Sequence, residues 1–185
     1  MENTAKSFKA KHKSILITGV AGSGKSAVCK ELKKLGFPAC DIESVNGLFK
    51  MVDRKTGKKA TSHNNDSLDS VKQHDWICDK NKLKKLIASN SKCLVFYCGT
   101  ASNLDDTLSL FEKIFLLKVS SKILCERLSS RTSNAFGRTY KVQKWILSWK
   151  KWWEDHMCEK GAIIIPANRS LKLVVADIVK QGKSL

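Results

Sequence analysis

The sequence has no apolar run near the ~20 residues a helix needs to cross a bilayer, which argues against a membrane span. Its opening segment, MENTAKSFKAKHK, lacks the apolar centre of a secretion signal and is expected to be a basic, solvated tail over residues 1–13. Repeats and low-complexity tracts are missing, which argues against solenoids and biased disorder. None of the seven cysteines (Cys29, Cys40, Cys78, Cys93, Cys98, Cys125, Cys158) pairs in C-x-x-C spacing, and most sit in apolar stretches such as KCLVFYCG. They are expected to be small buried hydrophobes in a reducing, cytoplasmic compartment, which argues against a zinc site or a disulfide framework. No aromatic RNA-binding motif or basic helical stripe organises the lysines, although 34 basic residues against 17 acidic give a net charge of +17. That charge attracts anions of several kinds: nucleotides, acidic metabolites, RNA, an anionic membrane. Scattered groups such as Lys58-Lys59, Lys82-Lys84-Lys85 and Lys150-Lys151 describe a solvated surface, with nucleic-acid contact as the alternative.

What is present is an alternation of apolar runs and amphipathic segments. With 185 residues, one domain over 14–182 is expected. SILITG predicts a buried strand. From Lys25 a helix follows, with Val28, Leu32 and Leu35 on one face and Gly36 closing it. FPACDIE predicts a second strand, MVDRKTGKKA a hairpin turning at Gly57, and TSHNNDSLDSVKQ a loop. Helices are expected over 79–88 and 105–112, from a Ser120-Ser121 cap to Ser130, over 140–159, and through LKLVVADIVKQG. KCLVFYCG, KIFLLKV and GAIIIPA predict three further strands. Strands alternating with helices imply a three-layer α/β/α fold around a five-stranded parallel sheet, with a ligand at the carboxyl ends of its strands.

Gly19-Val20-Ala21-Gly22-Ser23-Gly24-Lys25-Ser26 has the spacing G-x-x-x-x-G-K-S between a strand and a helix, the signature of a phosphate-binding loop. Gly22 and Gly24 let backbone N–H groups turn inward around a phosphate, and the helix N-terminus adds partial positive charge. Lys25 is placed to reach the outer phosphates and Ser26 to set its hydroxyl on Mg²⁺. Gly19, Ala21, Gly22, Ser23, Gly24, Lys25, Ser26 and Ala27 are the expected nucleotide contacts, with ATP and Mg²⁺ as cofactors.

Two further absences narrow the class. N-K-x-D for guanine is missing, since Asn81-Lys82 continues into Leu83-Lys84, and neither LVFYCGTAS nor IFLLKVSS ends in the acidic pair of motor ATPases. Carboxylates stand instead at the end of the second strand, in Asp41-Ile42-Glu43. Strand alternation would point both the same way, Asp41 toward Mg²⁺ and Glu43 toward an acceptor hydroxyl; two surface carboxylates are the alternative.

In order and spacing the chain resembles the small phosphate-loop kinases of the nucleoside monophosphate kinase and shikimate kinase group. It is most similar to a set of kinase-like ATPases with a D-x-D/E strand end, a tryptophan-bearing segment (His74-Asp75-Trp76), a G-x-x-x-N turn (Gly99 to Asn103) and an R-x-x-N-x-x-G lid (Arg131 to Gly137). That resemblance implies a P-loop NTPase fold with an acceptor-side insertion over 44–78 and a short lid over 131–139. It implies Arg127 on the adenine side, Arg131 on phosphate oxygens, and Asn168 in the loop approaching adenine; a helical i, i+4 spacing would set both arginines on one face. Lys25, Arg131, Asp41 and Glu43 are then the catalytic candidates, and Asp41, Glu43, Arg54, Trp76, Gly99 and Arg138 the acceptor contacts. The chain departs from the group at Gly99-Thr100-Ala101, where shikimate kinases carry a glycine triplet, and at Cys98-Gly99, where nucleoside monophosphate kinases carry an aspartate.

Trp145, Trp149, Trp152 and Trp153 recur along one helix and predict a core stripe, whereas Trp76, after the polar insertion, could stack on a ring substrate. The function expected is transfer of the γ-phosphoryl group of ATP to a small nucleoside, nucleotide or hydroxyl metabolite, by a monomer or homodimer. The alternative is a nucleotide-dependent switch or an RNA- or ribosome-associated ATPase that uses no small acceptor.

Overall fold

A computed structural model describes residues 13–90, 94–132 and 134–184. The expected tail, apart from Lys13, lies outside them, as do Cys93 and Ser133 of the lid. In chain order the elements begin with β1 (Lys13–Thr18), α1 (Lys25–Lys34), β2 (Ala39–Asp41), β3 (Phe49–Asp53), α2 (Leu68–Gln73), β4 (His74–Cys78) and α3 (Lys80–Ala88). They continue with β5 (Leu94–Cys98), β6 (Lys113–Lys118), α4 (Ser121–Ser130), α5 (Tyr140–Glu159), β7 (Ile163–Pro166) and α6 (Leu171–Lys183).

Five strands form one parallel sheet in the order β2-β5-β1-β6-β7, and β3 pairs antiparallel with β4 in a separate ribbon. β1 lies centrally because every residue from Ser14 to Thr18 is buried, as a strand covered on both faces requires. Alternation divides the core. Ile15, Ile17, Phe96, Cys98, Phe115 and Leu117 face α1, α4 and α6 through Val28, Leu32, Leu124, Leu128, Val175 and Ile178. Leu16, Val95, Tyr97, Ile114 and Leu116 face Leu83 and Ile87 of α3, and Met157 of α5. The result is the expected three-layer α/β/α sandwich. β1 lies between β5 and β6, so the loop after it opens where the strand order reverses.

Four local expectations are corrected. The polar stretch after His63 contains helix α2, started by Ser67, whose hydroxyl accepts from Ser70 N, and anchored by the one buried apolar residue Val71. Residues Leu104–Leu110 form 3₁₀ turns where an α-helix was expected. Leu35, expected on the apolar face of α1, caps the helix and is exposed. The tryptophan stripe is offset from the buried face of α5, which is centred on Val142, Ile146, Lys150, Glu154 and Met157, about a quarter turn away. Trp145, Trp149 and Trp153 therefore flank the core, and Trp152 is 67% exposed, stacked on His156. The hairpin turn forms, with Gly57 at φ 66° and Asp53 accepting from the N–H groups of Lys55 and Thr56. The returning chain adds only a bridge from Val52 to Lys59, and the main partner of β3 is β4.

Candidate functional site

The loop leaves β1 at Thr18 and enters α1 through Gly24, whose φ of 106° is left-handed and open to glycine without strain. Lys25 is the first residue of α1 and only 9% exposed; its ammonium donates to Gly19 O at 2.8 Å and Val20 O at 3.4 Å. It lies 3.8 Å from Glu43 Oε1. Burial pushes the Lys25 ammonium below its ordinary pKa; Glu43 opposes that shift, Arg131 adds to it and Asp41 opposes it. Ser26 and Ala27 follow, exposed on the first turn. Ser23 is buried, and among the described residues its hydroxyl and that of Thr18 have no hydrogen-bond partner. Gly22 and Ala21 complete the turn, Ala21 against the core.

Strand alternation does not bring the two carboxylates together, because β2 ends at Asp41 and Ile42–Ser44 form a 3₁₀ turn. The turn itself directs Glu43 to the loop. Oε1 of Glu43 accepts the Thr100 N–H at 3.0 Å, so the segment after β5 holds the carboxylate beside Lys25. Gly99 makes this approach possible: a Cβ there would stand 2.4 Å from Ile42 Cγ1 and 3.2 Å from Glu43 Cγ. Its visible role is thus to admit the Ile42–Glu43 turn. Cys98, before it, has its thiol pushed well above the ordinary range by its hydrogen bond with Cys29 and by burial, so the strand end carries a neutral group.

The same segment carries the β3–β4 ribbon. Ser102 N donates to Trp76 O and Trp76 N to Ser102 Oγ, while the Asn103 amide joins Cys78 through its O and its N–H groups. Thr100, Ser102 and Asn103 were not singled out as site residues from the sequence; the G-x-x-x-N turn was the available signal. Trp76 stacks on Phe49 with centroids 5.2 Å apart. Arg54 is forked onto Asp75 through hydrogen bonds of 3.1 and 2.8 Å, and so is tied within the ribbon, not directed at Lys25.

The arginine pair divides. Arg127 donates to Ser23 O and Ala167 O, both at 3.1 Å, and so straps the loop to the segment after β7. Helix α4 stops at Ser130; Arg131 is its extended cap residue and donates to Asn134 O and Phe136 O, which folds the lid around it. The one-face expectation is corrected accordingly. Burial pushes the Arg131 guanidinium below its ordinary pKa, with Glu43 opposing, so Arg131 shares the field of Lys25 and Glu43. Arg138 pairs with Asp66 at 3.3 Å and ties the lid to the insertion. Asn168 accepts from Ser120 N at 2.8 Å, holding the start of α4.

Lys25 and Glu43 thus meet at the loop after β1, with Arg131 and Asp41 near enough to act on the Lys25 charge, a set of groups able to position and stabilise a phosphoryl group. Among the described residues no group of three or more His, Cys, Asp or Glu side chains could cage a metal. The Ser26 hydroxyl and the Asp41 carboxylate are oxygen donors, the chemical type that a hard ion such as Mg²⁺ would take.

A parallel sheet with this loop at its switch point defines a small P-loop protein of kinase-like architecture. The chain belongs to the AAA domain family, whose pattern it matches over residues 15–147. It is 29% identical over 137 residues to the adenylate kinase isoenzyme 6 homolog of Plasmodium falciparum, an alignment covering 67% of this chain and 68% of that protein. Solved structures of several proteins share the fold. Deoxyadenosine kinase from M. mycoides aligns at a TM-score of 0.57 and 17% identity over 93% of this chain and 100% of that one. TT1252 from Thermus thermophilus aligns at 0.55 and 14% over 94% and 97%. A gluconokinase from Sinorhizobium meliloti 1021 aligns at 0.51 and 19% over 93% and 94%.

Proposed function

We propose that this chain is an ATP-dependent phosphotransferase that moves the γ-phosphoryl group to a small acceptor in a reducing, cytoplasmic compartment. The backbone N–H groups of Gly19 to Ala27 cradle the phosphates, and Lys25 exchanges its loop carbonyls for phosphate oxygens. Ser26 and Asp41 hold Mg²⁺, which when bound neutralises phosphate charge. Arg127 lines the adenine side with Asn168, and Arg131 covers the charge that spreads over the transferring group. Glu43 orients the acceptor, with residues 44–78 as the acceptor-side unit, carrying Arg54 and Trp76, and residues 131–139 as the lid, carrying Arg138. The observation that carries this reading is the approach of Glu43 to Lys25 at 3.8 Å, with its carboxylate held by Thr100 N–H. A carboxylate fixed beside the phosphate lysine can orient an acceptor next to the transferring group, as a kinase requires.

A library of nucleosides, nucleotides, sugars and polyols, screened with Mg-ATP for ADP release, tests the proposal. Release stimulated by one compound class, and lost in Lys25→Ala, is expected. Equal, acceptor-independent hydrolysis across the library would replace the proposal with a nucleotide-driven switch.

A further inference from the structure

We infer that the exposed face of α5 is a docking surface for single-stranded RNA, a role that stands apart from the phosphotransferase reading. At about 100° per residue, Tyr140 and Trp152 bound an arc of roughly 120° on the helix, and Lys141, Lys144, Ser148 and Lys151 lie between them. Lysines scattered along the sequence are thus gathered between two rings. Among the described residues, Tyr140 and Trp152 are the only exposed large aromatic side chains, each at 67%. Both rings are held from one side. The Lys144 ammonium stands 4.8 Å from the Tyr140 ring centroid. The Trp152 indole stacks on the His156 imidazole at 5.6 Å, and His156 is fixed in turn by a 2.7 Å hydrogen bond with Asp105. A ring held on one side and open on the other is a platform for a base.

The carboxylates around the arc are balanced by cations. Asp155, one turn beyond Lys151, is paired with it and lies in the field of Lys118. Asp66, which meets Thr139 at the helix start, is paired with Arg138, and Glu154 is buried against Lys150. Glu159 stands about 10 Å past Trp152, at the end of the helix. The net positive charge draws an anionic chain and the rings take bases, a combination that single-stranded nucleic acid meets. A membrane surface fits less well, because three lysines and a serine separate the rings by about 18 Å along the helix and leave no continuous apolar area to insert. Ser148 favours RNA over DNA: its hydroxyl donates to Trp145 O at 2.7 Å, so its oxygen can accept from a 2′-hydroxyl.

The test titrates the full chain with labelled single-stranded RNA of about 12 nucleotides, DNA of the same sequence, heparin, and phosphatidylcholine–phosphatidylserine vesicles, at about 150 mM salt. RNA is expected to bind and to quench tryptophan fluorescence, with DNA several-fold weaker. Trp152→Ala and Tyr140→Ala should each weaken RNA binding about 5-fold or more, while Trp152→Phe, which keeps a ring, retains most of it. The chain's other lysines add a general attraction for anions, which these substitutions leave in place. Lys141→Ala/Lys144→Ala should lower the slope of log affinity against log salt by about 1.4, and Ser148→Ala should bring RNA down to the affinity of DNA. The altered side chains are exposed and lie outside the phosphate loop, so melting and Mg-ATP binding should match wild type. RNA affinity unchanged by loss of either ring, DNA bound as tightly as RNA, or binding to vesicles without binding to RNA would each overturn the inference.

Discussion

Gly99→Ala is the substitution whose consequence follows most directly from the geometry of the site. The added Cβ would lie 2.4 Å from Ile42 Cγ1, 2.9 Å from Cδ1 and 3.2 Å from Glu43 Cγ. Carbon atoms in contact rest at ~3.5–4.0 Å, so the Ile42–Ser44 turn must retreat by about 1 Å. Ile42 is 2% exposed and packs in the core beneath β5, so it has no free direction in which to rotate. Overpacking of this kind costs about 1–3 kcal/mol, a fall in Tm of roughly 2–12 °C for a chain of this size. The same retreat carries Glu43 away from Thr100 N–H, now 3.0 Å distant, past the limit of a useful hydrogen bond. A misplacement of ~1 Å at a positioning group lowers turnover by about 10²-fold. Thermal melts and acceptor-stimulated ADP release measure the two effects separately. Ile42→Ala opens the space the new Cβ needs, so the double variant should be more stable than the sum of the single changes by about 1–2 kcal/mol. Wild-type melting and turnover in Gly99→Ala, or strict additivity in the double variant, would refute the reasoning.

Lys25→Met should lose ATP binding in calorimetry yet melt no lower than wild type at neutral pH. Burial holds the Lys25 pKa below 10.5, so the unfolded chain binds the proton more tightly and the penalty is fully present below that window. Wild-type stability therefore gains as pH rises through it, and urea titrations at about pH 7 and pH 10 should show the difference between the two proteins narrowing. Lys150 and Glu154 form a 2.7 Å ion pair on the buried face of α5, with side chains 10% and 3% exposed. Lys150→Met strands a buried carboxylate and should cost about 3–5 kcal/mol in denaturant unfolding, most of it recovered in Lys150→Met/Glu154→Leu. Arg127→Ala removes the two hydrogen bonds that strap Ser23 O to Ala167 O; it should cost about 1–3 kcal/mol and weaken ATP binding, read by melting and calorimetry.

What the sequence made legible was governed by local rules. The loop spacing, the alternating strand and helix periods, and the Ser120 cap each depend on residues a few positions apart, and all five sheet strands were found in this way. Asp41 and Glu43 were singled out by an alternation that the chain does not follow at Ile42. The placement of Glu43 beside Lys25 depends on Gly99, more than fifty residues away, which no local pattern reveals. Arg54–Asp75 and Arg138–Asp66 are also long-range pairs, so the sequence displayed these cations without showing that they were already occupied. Helix α2 was hidden because a six-residue helix with one buried apolar side chain has no period to detect; its Ser67 cap was the only local sign. Trp152 was misassigned because the tryptophans repeat at helical spacing beside, not on, the face that Val142, Ile146 and Met157 bury.

The most direct test of phosphoryl transfer is ³¹P NMR of Mg-ATP incubated with the protein and a pooled set of nucleosides, nucleotides, sugars and polyols. A new resonance of a phosphorylated acceptor, growing in step with the loss of the ATP γ-phosphate and absent with Lys25→Ala, is the result predicted. ADP accompanied only by inorganic phosphate, at the same rate with and without the pool, would contradict it.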